Sequence, residues 1–162
     1  MLVGTAALAV VGVTGVACGG KSAPPPELAE LMTQLDMARS DSQLASDAAE
    51  GAKPPQRPPL AAVSAERAKH AEALTNEIAR LTGEPATSTS TSTSATTTTS
   101  SATAAASAPT AKDVVDALKK SAESSGQLAA TMSGYRAGLL GSIAASCTAA
   151  YTVALAPRTA AP

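Results

Sequence analysis

Scarcity of aromatic side chains limits what this chain can fold into more than any other feature. Its 162 residues include no tryptophan and no phenylalanine, and only two tyrosines, Tyr135 and Tyr151. Sheets are held by aromatic and β-branched residues packed across a pleated surface, and outside the first 17 residues the large members of that set are few. Alanine, serine and threonine dominate instead, so an all-α fold with a core of small side chains is expected. Twelve basic and 13 acidic residues leave the net charge at −1. No basic stripe exists for nucleic acid, which is excluded as a partner.

An uncharged apolar run from Leu2 to Ala17 ends at Cys18, Gly19, Gly20 and Lys21. Its 16 residues fall short of the roughly 20 that span a bilayer. Small residues crowd its end, as a signal peptidase pocket requires. This pattern predicts a secretory signal over residues 1–17 and a lipid-attachment cysteine at Cys18, with the protein held on the outer face of a cell membrane. Two features depart from the bacterial lipoprotein pattern. Gly15 stands where Leu or Val is usual, and no basic residue precedes Lys21, which suggests a start placed too far downstream. An uncleaved anchor or plain secretion is the alternative.

Residues 18–26 form a tether in which Pro24, Pro25 and Pro26 favour an extended chain. Helix periodicity then runs from Glu27 to about residue 50 through Leu28, Leu31, Met32, Leu35, Leu44, Ala45 and Ala48. The proline pairs of residues 53–59 predict a stiff connector that is not helical. A second helix over 60–82 places Val63, His70, Leu74, Ile78 and Leu81 on one face and Arg67, Lys69, Glu72 and Arg80 on the solvated side or its flanks. Residues 84–110 have too few apolar side chains to offset the entropy of ordering and read as a disordered Ser/Thr/Ala-rich linker. Its hydroxyls at Thr87, Thr89, Thr91, Thr93, Thr96, Thr97, Thr98 and Thr99 are acceptors for O-linked sugar; a bare flexible spacer is the other reading.

Thr110 and Asp113 match a capping box, opening a third helix over 111–133. Its seam of Val114, Leu118, Ser121, Ser125, Leu128, Met132, Tyr135 and Leu139 contains two weak, serine layers. A reversal at Ser133 and Gly134, or else a break at Gly126, precedes a fourth helix over 135–156. Residues 137–157 carry no ionisable side chain except Cys147 and Tyr151, so this segment is expected to be buried on nearly all faces, as the central helix of a soluble bundle, or to lie in a membrane. Residues 158–162 are a tail. The expected architecture is a four-helix up-and-down bundle made of two helical hairpins, 27–83 and 111–157.

Candidate chemistry is sparse. His70 is the only histidine, and Glu66 lies four residues before it, so the two share a helix face and form a weak candidate metal pair. Their spacing is one residue longer than the Glu-x-x-His of di-iron bundles. No metal or other cofactor is expected. Cys147 is a buried free thiol or, in an oxidising compartment, a partner for an intermolecular disulfide; without lipid on Cys18 the two cysteines are free to bridge. Asp36, Asp41, Asp47 and Asp116 read as solvated. No Gly-x-Ser-x-Gly elbow or phosphate loop is present, and no catalysis is expected.

The sequence GVAC at 15–18, the run AVSAERAKHAEALTNEIARL at 62–81 and the run SGYRAGLLGSIAASCTAA at 133–150 resemble actinobacterial, mycobacterial-type alanine-rich envelope lipoproteins. That resemblance implies an exported lipoprotein with a ferritin-like helical layout lacking the metal ligands, and O-mannosylation of the Ser/Thr-rich segment; it implies no activity. Together these readings predict a non-enzymatic structural or interaction module with a protein partner or a second copy of itself. The alternative is a carrier of an apolar ligand, lipid or haem, with His70 as the one axial ligand available.

Overall fold

In a computed structural model of the protein, residues 25–83 and 108–157 are described; Cys18 and the threonines of 87–99 lie outside them. The described residues form four α-helices and no strand: α1 Pro26–Gly51, α2 Arg57–Thr82, α3 Ala111–Thr131 and α4 Gly134–Ala149, the last continuing as a π-helical turn over Ala150–Ala154. The chain is all-α.

The ends of each helix follow from local chemistry. Pro26 opens α1 because a missing N–H costs nothing in a first turn, and Glu27 there complements the helix dipole. The same rule corrects the expected connector at 53–59. Only Ala52 and the turn Lys53–Gln56 separate α1 from α2, which starts at Arg57 and takes Pro58 and Pro59 into its first turn. Arg57 also caps the preceding helix, donating from Nε to the Ala49 carbonyl at 3.2 Å and from Nη2 to that of Ala52 at 3.1 Å. Gly83, at φ 71°, closes α2 in the left-handed region. Thr110 and Asp113 form the reciprocal capping box at α3. Met132 and Ser133 separate α3 from α4, with Gly134 at φ 57° supplying the reversal.

Contacts between helices fix their directions. Ser42 meets Ser64 and Ala49 meets Arg57, so α1 and α2 are antiparallel. Gln34 bonds Ser125 while Asp41 bonds Ser121, so α1 and α3 are antiparallel as well. Arg67 meets Cys147 and Arg80 meets Tyr135, which makes α2 and α4 antiparallel. Glu27 and Arg136, 3.6 Å apart, join the starting ends of α1 and α4. Helices α2 and α3 therefore run in the same direction, contrary to the expected up-and-down alternation. The cause is the length of the intervening segment. Alternation follows from short loops, whereas residues 84–107 are numerous enough to return the chain from one end of the helices to the other.

Sixteen apolar residues are buried among the described residues, and six of them are alanines (38, 45, 48, 49, 71 and 122). Small side chains let backbones approach closely. Between α1 and α2 the approach is close enough for Ser42 Oγ to donate to the Ser64 carbonyl at 2.9 Å and Ser64 Oγ to the Ser42 carbonyl at 2.8 Å. Leu31, Leu60, Leu74, Val114, Leu118, Leu140 and Ile143 supply most of the bulk.

The last segment is not the central helix that its apolar composition suggested. Only Leu140, Ile143 and Cys147 of α4 are buried, and no residue of the π turn is. Those three lie at i, i+3 and i+7, a single stripe. Gly134–Ala154 is long and apolar enough by length and composition to cross a membrane, yet only 17% of its most apolar window is buried within the protein. Tyr135, expected in the α3 seam, is 65% exposed.

Candidate functional site

A polar layer crosses the middle of the core and draws at least one side chain from every helix. Arg67 of α2 is 2% exposed. Its Nη2 lies 2.9 Å from Asp41 Oδ2 on α1 and donates to Ser121 Oγ on α3 at 3.2 Å. Its Nη1 donates to Cys147 Sγ on α4 at 3.3 Å and to His70 Nδ1, one turn along α2, at 3.1 Å. Ser121 Oγ in turn donates to Asp41 Oδ2 at 2.6 Å. Four of the five guanidinium hydrogens thus find acceptors, and Nε is buried without one. A charge so deeply placed is tolerated because a carboxylate shares the layer.

Asp41 and Arg67 correct the sequence reading, which put both among solvated side chains. Asp41 is 6% exposed and falls between Ala38 and Ala45 on the buried stripe of α1. Arg67 sits four residues after Val63 and three before His70, within the apolar face assigned to α2. The two serine layers of α3 also change meaning. Ser121 belongs to the ion-pair layer, and Ser125 donates to Gln34 Oε1 at 2.8 Å while Gln34 Nε2 donates to Ser124 at 2.7 Å, forming a second buried polar layer.

Glu66 and His70 are brought together as expected, with Oε1 and Nε2 3.5 Å apart. Because a guanidinium only donates, His70 Nδ1 must be the acceptor and the ring proton must sit on Nε2. Burial, then the neighbouring Arg67 charge, lowers the His70 pKa below its usual 6.5 against the opposing pull of Glu66; the ring is neutral at pH 7. Metal-ligating histidines normally use one nitrogen for the metal and donate from the other to a carboxylate or carbonyl. Here Nδ1 faces a donor, the opposite arrangement. Among the described residues no three His, Cys, Asp or Glu side chains converge as a metal site. Cys147, a free thiol 1% exposed that also lines a cleft between α2 and α4, is pushed above its ordinary pKa chiefly by burial, so it is un-ionised at pH 7.

These residues form one wall of a cleft of about 420 Å³ between α2 and α4, open to solvent along one side. Glu66, Arg67 and His70 supply its polar wall. Ala62, Val63, Leu118, Ala150, Val153 and Ala154 make it otherwise apolar. The π turn forms one end, its wide geometry marked by the Leu155 N–H bonding the Ala150 carbonyl at 2.9 Å. Such turns recur at ligand sites because they displace side chains from the helical register. Sequence periodicity gave no sign of this turn.

No protein-family model matches the chain, and neither curated proteins nor solved structures yield a match to it.

Proposed function

We propose that this chain is an exported lipoprotein of the cell envelope, anchored to the outer face of the membrane through acyl chains on Cys18 and acting without catalysis as a structural or interaction module. One observation carries the interaction role. The apolar helix Gly134–Ala154, whose one charged residue is Arg136, fully buries only the stripe Leu140, Ile143 and Cys147 and leaves Tyr135 and Val153 exposed, Val153 by 76%. Outward-facing apolar surface of this kind is what a protein partner or second copy covers. The parallel course of α2 and α3 supports a ferritin-like layout, whose bundles contain one long crossover connection. The linker threonines 87–99 are available for O-linked sugar on the exported side. Protease treatment of intact host cells tests the placement: the protein is expected to be degraded while cytoplasmic markers survive, and Cys18→Ala is expected to release it from the membrane. Protection in intact cells, or undiminished membrane retention of Cys18→Ala, contradicts the proposal.

The cleft favours a second reading, a carrier of a small apolar ligand. Its volume lies within the range of about 300–1,000 Å³ typical of small-molecule sites. Haem with His70 as axial ligand is the weaker form of this reading, since the proton on Nε2 occupies the one nitrogen not engaged by Arg67.

A further inference from the structure

Charge accounting along the cleft narrows the ligand further, resting on the carrier reading. Only two lining residues, Glu66 and Arg67, bear a formal charge at pH 7. Arg67 is matched by Asp41 at 2.9 Å behind the cleft wall. The neighbouring imidazole of His70 is neutral because its Nδ1 accepts from Arg67. That leaves the Glu66 carboxylate, its side chain 48% exposed at the mouth. Among the described residues its contacts are both with neutral groups: Ser146 Oγ donates to Oε1 at 3.2 Å, and His70 Nε2 lies 3.5 Å from the same oxygen.

We infer that the cleft binds a small amine with an apolar body, its ammonium group on the Glu66 carboxylate and its hydrocarbon against Val63, Leu118, Ala150, Val153 and Ala154. A primary ammonium has three donors to share between Glu66 and water at the mouth. An anionic amphiphile of the same length brings its head against Glu66 with no free cation to answer it. A neutral alcohol gains only the apolar contacts. The site therefore discriminates by head-group charge.

The test uses the purified full chain and three probes of equal length, octylamine, 1-octanol and octanoate, at pH 7. Binding is followed by calorimetry and by the ring C–H resonances of His70, the only imidazole in the chain. Octylamine is expected to bind at least about tenfold more tightly than octanol, which corresponds to about 1.4 kcal/mol, and to shift the His70 signals; octanoate is expected to bind most weakly. Glu66→Gln is expected to reduce octylamine to the affinity of octanol and to leave octanol unchanged. Equal binding of amine and alcohol, or an amine preference that survives Glu66→Gln, overturns the inference while leaving the carrier reading in place. If none of the three probes binds or moves the His70 resonances, the carrier reading itself fails.

Discussion

Arg67 is the side chain on which the packing of all four helices converges. Removing one member of a buried ion pair leaves the other charge uncompensated, which costs about 3–5 kcal/mol, whereas replacing both with apolar groups of similar volume is often neutral or stabilising. Asp41→Ala is accordingly expected to lower stability by that amount in urea unfolding, and the double variant Asp41→Leu/Arg67→Met to recover most or all of it. A single substitution that costs under about 1 kcal/mol would mean that the pair is solvated in solution. His70 makes a separate prediction. Its folded pKa lies below the unfolded value of about 6.5, so the unfolded chain takes up the proton first. Stability should be unaffected by this group above that pH, fall as pH drops through about 6.5, and level off once the pH passes below the folded value. The difference in unfolding free energy between wild type and His70→Gln, followed from pH 8 to 5, isolates this contribution from the carboxylates. The groups facing His70 are Arg67 and Glu66 on its own helix and Ser146 and Cys147 across the cleft. The positions of both Asp41 and Arg67 were legible as periodicity, but their charge argued against burial. A carboxylate and a guanidinium on separate helices offset each other only once the fold brings them together.

Helix boundaries were largely readable because they depend on neighbouring residues: the capping box at Thr110 and Asp113, the glycine at 83 and the reversal at Gly134 all act within one turn. Helix directions were not readable in the same way. They depend on which faces meet, and on α1 the buried face includes Gln34 while Met32 stays 51% exposed. The parallel course of α2 and α3 makes a testable demand on their connection. Helix α2, of 26 residues, measures about 39 Å at 1.5 Å per residue, and the chain between Gly83 and Ala108 has to cover a comparable distance. Five residues reach at most about 18 Å. Replacing residues 84–107 with 24 Gly/Ser residues is expected to keep helix content and the unfolding transition of the wild type. Replacing them with five is expected to abolish the monomeric fold, giving aggregates or a dimer with exchanged halves in sedimentation analysis. A five-residue linker that leaves a stable wild-type-like monomer would require antiparallel α2 and α3.

Taken as one body, the protein pairs a small-residue core with an outward apolar helix and a sequence that ends its first apolar run at a cysteine. Composition indicated the all-α fold, since a chain without phenylalanine or tryptophan has little with which to build a sheet core. The same composition misplaced the last helix. Lack of charge over residues 137–157 was compatible with a fully enclosed position, and the stripe Leu140, Ile143 and Cys147 proved too narrow to draw in more than one face. An apolar-ligand site was a legible alternative, but the position of the cleft was not, because alanines carry no signature of a site and the π turn no signature in periodicity. The proposed anchoring by Cys18 would tie these features to a location, and intact mass spectrometry of the mature protein, purified from membranes of its native host beside a Cys18→Ala variant, tests it most directly. The expected result is a mass that fits cleavage before Cys18 plus acyl chains, absent in the variant, with sugar increments on the linker visible in the same spectrum. An unprocessed, unacylated chain would contradict the proposed anchor and leave residues 2–17 as part of the mature protein.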